Sequence, residues 1–111
     1  MNTMHDKIKQ AFESVVVPLI PPEWEYGYDL TIRLDCDWDG YHISTGPIGK
    51  NNNEYQSIEK VFKPLLLALS KQSREGLDIS SGYYKVIYDT ESKQLTESCR
   101  WYVESLAYSL N

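Results

Sequence analysis

The chain has 111 residues, 41% hydrophobic and 13% aromatic, with 16 acidic against 11 basic side chains and a net charge of -5. This is enough apolar material for one core and one domain spanning residues 1–111, and too much for a disordered chain. The acidic balance disfavours direct binding to nucleic acid or anionic lipid and favours a basic partner, and no run approaches the roughly 18 apolar residues of a membrane span.

The start of the chain lacks the basic, apolar and small-residue pattern of a secretion signal, so a cytoplasmic location is expected. Cys36 and Cys99 lie far apart without CxxC spacing, which predicts neither a disulfide framework nor a zinc ribbon but buried free thiols.

From Met4 to Val17, Met4, Ile8, Ala11, Phe12, Val15 and Val16 recur at spacings of three and four, predicting an amphipathic helix. Thr3 is placed to cap it, with Asp6 three residues on, and Pro18, Pro21 and Pro22 end it. From Tyr28 the period changes to two. Tyr28, Leu30, Ile32, Leu34, Cys36 and Trp38 share one face; Asp29, Thr31, Arg33, Asp35 and Asp37 share the other.

Asp39-Gly40 suits a two-residue hairpin turn, and Tyr41 to Thr45 forms the return strand. With Asp39 and Gly40 as the loop, Trp38 faces Tyr41, Cys36 faces Ile43 and Leu34 faces Thr45 inside, while Asp37 faces His42 and Asp35 faces Ser44 outside.

Gly46 to Asn53 is a run of turn formers and predicts a surface loop. A second helix is predicted from about Ser57 to Arg74, with Ile58, Val61, Phe62, Leu65, Leu66 and Leu69 on its buried stripe and Gly76 closing it. Pro64 either kinks this helix or begins a new one. Tyr83 to Asp89 and Gln94 to about Arg100 predict a second hairpin. Tyr102, Val103, Leu106, Ala107 and Leu110 predict a short closing helix. The fold class is therefore α+β: an antiparallel sheet of about four strands in two hairpins, with two main helices and a short C-terminal helix packed on one face.

Catalytic motifs are scarce. There is no GxxxxGK[ST], GxGxxG, GxSxG or HExxH, which assigns no catalytic residue, cofactor or metal site. Of the two histidines, His5 lies in the first turn of a surface helix and His42 faces outward beside Asp37, in the geometry of an ordinary cross-strand pair. A hydrolase using His42 and the aspartates is the weakest reading, because one surface histidine is thin support. Binding of a divalent ion by Asp35, Asp37, Asp39 and His42 ranks below a solvated acidic face, since alternate residues on a strand stand about 7 Å apart.

What is distinctive is the company of Asp29, Asp35, Asp37 and Asp39, with Glu23 and Glu25 just before the hairpin, and Trp38, Tyr41, His42 and Tyr55. Carboxylates beside aromatics offer charge complementarity and anchoring groups to a basic protein partner. The plain structural alternative, of equal weight, is aspartates that keep an exposed sheet soluble and aromatics that cover the hairpin end.

At Ile20-Pro21-Pro22-Glu23-Trp24 the chain resembles the YezG-like immunity proteins of bacterial polymorphic-toxin systems, which also run from an N-terminal helix through an Ile-Pro-x-x-Trp step into a strand pair, a long helix and a further hairpin. Immunity proteins of contact-dependent growth inhibition form the same functional class. The resemblance implies a non-enzymatic cytoplasmic antitoxin that binds a cognate toxin domain, often a nuclease, and blocks its active site or substrate surface. The alternative is a small adaptor or regulatory protein-binding module.

Overall fold

The computed structural model describes residues 3–24, 29–37, 39–46, 48, 49, 51–73 and 79–103. They form α1 (Met4–Ala11), running into a π turn over Phe12–Val16 and a 3-10 turn over Val17–Leu19, then β1 (Asp29–Asp37), β2 (Gly40–Thr45), α2 (Asn52–Ser73), β3 (Ile79–Asp89) and β4 (Leu95–Val103). The class is α+β, with a four-stranded antiparallel sheet in the order β2-β1-β3-β4.

The first helix begins as its sequence dictates. Thr3 and Asp6 complete a reciprocal capping box, each side chain accepting from the other's backbone N–H at 3.2 Å. Pro18 does not end the helix but lies within the 3-10 turn. The preceding turn is widened, Val17 N–H reaching back to the Phe12 carbonyl, and the chain leaves helical geometry at Ile20.

In the first hairpin both faces are as the alternation requires, but the partners differ from the expected ones. Cys36 pairs with Tyr41, Leu34 with Ile43, Ile32 with Thr45, Asp35 with His42, and Asp37 with Gly40. The ladder is thus slipped by two residues relative to a loop of Asp39 and Gly40. A slip of two keeps every side chain on its own face, so the hydrophobic pattern cannot distinguish the two registers. Gly40, at φ 132°, serves as a ladder residue instead of a loop residue, and the Asp37 carboxylate turns the chain by accepting from Asp39 N–H at 2.8 Å. Tyr28 and Trp38, expected at the strand ends, lie outside the described residues.

The second helix starts at Asn52, about five residues before the predicted point, because Asn51 caps it. The Asn51 side chain accepts from Glu54 N–H at 2.8 Å and its carbonyl accepts from Tyr55 N–H. Pro64 neither splits the helix nor begins a new one. It stands on the exposed side of one continuous helix, where the carbonyl left without its amide donor can meet water. Gly76 lies outside the described residues.

The second hairpin is longer than predicted: β3 begins at Ile79 and β4 runs to Val103. Tyr102 and Val103, expected in a closing helix, are strand residues, paired across β3 to Ser81 and Ile79. Pairing decides this, since residues 95–103 form a ladder with β3 that helical spacing alone does not reveal. The rest of the predicted C-terminal helix, Leu106, Ala107 and Leu110, lies outside the described residues. Gly82, at φ 154°, is where β4 crowds β3, and a Cβ there would collide with the Arg100 carbonyl and the Trp101 ring.

Both helices cover the same face of the sheet. Ile8, Phe12 and Val16 meet Ile58, Phe62 and Leu66 over Leu30, Ile32, Leu34, Val86 and Tyr88. At the centre Phe12 packs edge-on to Phe62 (4.9 Å between centroids) and stacks on Tyr88 (5.3 Å). The buried phenols have partners: Tyr88 donates to Glu13 at 3.0 Å, and Tyr84 donates to Glu97. The Glu97 carboxylate also lies 2.9 Å from His5 Nε2, tying the first turn of α1 to β4. Cys36 is buried as expected, whereas Cys99 is exposed, because it stands on an edge strand whose inner side is only partly covered.

Phe12→Ala removes the ring shared by both aromatic contacts and is expected to cost about 3–5 kcal/mol in denaturant unfolding, with an unchanged m value. A second expectation concerns alkaline pH. Burial first, and the Glu97 carboxylate second, push the Tyr84 hydroxyl well above its ordinary value of 10.0; Tyr88 is raised the same way by burial and Glu13. Below pH 10 these phenols are neutral in both folded and unfolded chains; above it the unfolded chain ionises first, so stability falls as pH rises. Unfolding measured across an alkaline pH series is expected to show this decline, and Tyr84→Phe is expected to make it shallower.

Candidate functional site

With both helices on one side, the odd residues of β1 and β3 and the even residues of β2 and β4 form an outer face on which no element packs among the described residues. Across the strands, His42, Asp35, Tyr83 and Arg100 make one row, and Ser44, Arg33, Lys85 and Ser98 the next. Beyond these, Thr31, Ile87 and Thr96 make a third, and Asp29 faces Asp89 at the far end.

The centre of this face is held in place by Arg33. Its Nε and Nη2 both lie 2.8 Å from Asp35 Oδ1, and its guanidinium sits 4.2 Å from the centroid of the Tyr83 ring. Arg100 lies 5.5 Å from the centroid of Tyr102, which is 52% exposed. Tyr and Arg are among the residue types most enriched where protein interfaces are anchored.

The residues singled out from the sequence do not form one cluster. Asp35, Asp37, Asp39 and His42 gather at the hairpin end, where His42 Nε2 is 3.8 Å from Asp37 Oδ1 and both side chains are largely solvated. Asp35 is directly opposite His42, and Asp37 reaches it diagonally. Asp29 is at the other end of β1, eight residues and roughly 26 Å from Asp37 at the usual rise of a strand. Arg33 lies between them, so the face is not uniformly acidic.

Tyr41 and Tyr55 belong to the opposite side of the sheet. Tyr41 packs half-buried on the core, and Tyr55, in the first turn of α2, donates to the Ile43 carbonyl at 2.6 Å. Burial and then the Glu59 carboxylate raise its hydroxyl above the ordinary value. Trp38 lies outside the described residues.

Nothing in the sequence marks Tyr83, Lys85, Arg100 or Tyr102 as site residues. Alternation within β3 put Tyr83 and Lys85 on one face, but nothing local says that β3 lies beside β1. Among the described residues no group of three or more His, Cys, Asp or Glu side chains could hold a metal ion, and no helix is long and apolar enough to cross a membrane. An open recess of about 330 Å3 lies along α2, lined by Glu59, Lys60, Lys63, Pro64 and Leu67 on the side away from its buried stripe. Comparison with protein-family models, with curated proteins and with solved structures finds no match to this chain.

The Arg33, Asp35 and Tyr83 cluster is partly exposed, so its energetic weight in folding is small. A double-mutant cycle of Arg33→Ala and Asp35→Ala is expected to give a coupling within about 1 kcal/mol in denaturant unfolding. A larger coupling would make the cluster chiefly a stabilising device.

Proposed function

We propose that this chain is a protein-binding module of the immunity type, which holds a cognate toxin domain, most simply a nuclease, through the outer face of its sheet. The observation that carries this reading is the outer face itself, on which no element packs among the described residues. It offers Arg33 already clamped by Asp35 and stacked on Tyr83, with Tyr102 half-exposed beside Arg100. Side chains held in place before binding lose less freedom on docking, and Tyr and Arg are the residues best suited to anchor a partner.

Charge complementarity supports a basic partner. Arg33 is neutralised by Asp35, and although Lys85 and Arg100 stand elsewhere on the face, Asp37 and Asp39 make its hairpin end an exposed acidic corner on a chain of net charge -5. A domain that grips nucleic acid presents the opposite charge, and a covered phosphate-binding surface no longer admits RNA or DNA. The Ile20-Pro21-Pro22-Glu23-Trp24 step and its resemblance to YezG-like immunity proteins point to the same class.

The test is coexpression of the tagged chain with the product of the adjacent reading frame, followed by copurification and a nuclease assay of the recovered partner. A stable complex in which nucleolytic activity is suppressed is the expected result; full activity in the presence of excess chain overturns the immunity reading. Within a complex, Tyr83→Ala with Tyr102→Ala is expected to cost about 2 kcal/mol or more of binding. Asp37→Asn with Asp39→Lys, which keeps an acceptor at the turn while removing the acidic charge, is expected to slow association most at low salt. Unchanged affinity and rates in both variants would remove the outer face from the interface.

A further inference from the structure

β4 is an edge strand of nine residues, and among the described residues no strand lies on its far side. The hairpin that leads into it determines which backbone groups point away from the sheet. Asp89 N–H donates to the Gln94 carbonyl at 3.0 Å, which makes Asp89 and Gln94 a hydrogen-bonded pair. Along the ladder, hydrogen-bonded and non-hydrogen-bonded pairs alternate. Thr96, Ser98 and Arg100 therefore bond to β3, while Leu95, Glu97 and Cys99, opposite Tyr88, Val86 and Tyr84, turn their N–H and C=O groups to the open edge.

An open edge of this length is a template for another strand, and proteins commonly blunt such edges with proline, lysine or a bulge. β4 carries neither proline nor lysine, its one inward-pointing charge, Glu97, is already engaged by His5 and Tyr84, and its register against β3 is unbroken from Leu95 to Tyr102, shifting only at Val103. We propose that β4 pairs antiparallel with β4 of a second copy of this chain, about a two-fold axis at Cys99.

Cys99 is the middle residue of the nine, so this register alone overlaps the whole strand. It also places an outward-facing residue on the axis, where the two copies of Cys99 exchange both backbone hydrogen bonds. Ser98 then stands opposite Arg100 of the second copy, Thr96 opposite Tyr102, Glu97 opposite Trp101 and Leu95 opposite Val103, with no like charges directly opposed.

The neighbouring registers that preserve the two faces are worse. An axis at Arg100 opposes two guanidinium groups, and an axis at Ser98 shortens the overlap at both ends. With the axis normal to the sheet, the outer faces of the two copies lie on the same side as one continuous surface.

Sedimentation velocity over a concentration series of the unaltered chain is the test, together with a short bis-maleimide as a probe of thiol proximity. The expected result is a concentration-dependent dimer that the reagent links through Cys99, with linking lost and dimerisation kept in Cys99→Ser. Cys99→Pro removes the outward N–H at the axis without touching a bond to β3, a place where edge strands tolerate proline. It is expected to weaken the dimer about tenfold or more at an unchanged circular dichroism spectrum. A monomer at every concentration, or a dimer that the reagent does not link, overturns the proposal even if Cys99→Pro fails to fold.

Discussion

The pairing of β1 with β3 is the contact on which the other elements depend. β1 carries Leu30, Ile32, Leu34 and Cys36 on one face and is bonded on both edges, to β2 through a tight hairpin and to β3 across the whole of α2. A strand bonded on both edges has its backbone groups satisfied, so its remaining need is to bury the apolar face. That face can be covered only from one side, and α1 and α2 must share it. The opposite face, with Arg33, Asp35 and Asp37, is left to solvent or to a partner.

The covered side has a graded interior. Its centre is aromatic and buried, with Phe12 between Phe62 and Tyr88. Around the rim, polar tips reach specific acceptors: Tyr88 to Glu13, Tyr55 to the Ile43 carbonyl, and Trp101 Nε1–H to Ser73 Oγ at 3.1 Å. Each such bond joins elements distant in sequence, and the two tyrosine bonds satisfy hydroxyls that packing partly removes from water. Coverage thins towards β4, where Cys99 is exposed and Glu97 meets His5.

This gradient connects the fold to the two surfaces available for association. The outer face presents side chains, so that recognition there would depend on charge and on aromatic anchors. The β4 edge presents backbone groups, and recognition there depends on register and length. Arg100 and Tyr102 stand where the two surfaces meet, since they belong to the outer row of the edge strand. A partner on the face and a second copy at the edge would therefore be neighbours, able to touch the same two side chains.

Much of the secondary structure was legible from periodicity, because burial on one face imposes a spacing that the residues of β1, α1 and α2 display directly. The capping box at Thr3 and the two faces of the first hairpin were legible for the same reason: they are set by neighbours a few residues apart. What local pattern could not decide were matters of degeneracy and of distance. A slip of two residues leaves every side chain on its face, so only the closed turn at Asp37 and Gly40 chose the register. Asn51 reads equally as a loop residue or a cap until a helix forms after it. Tyr102 and Val103 fit a helical spacing or a strand, and pairing with β3 decided for strand. The sequence by itself thus determined the class of the fold and the acidic end of the hairpin. Only the tertiary structure decided that Arg33 and Tyr83 stand side by side on the outer face, with Asp29 at the far end of it and Tyr41 and Tyr55 on the opposite side, because strand order is set by contacts between residues that no local spacing links.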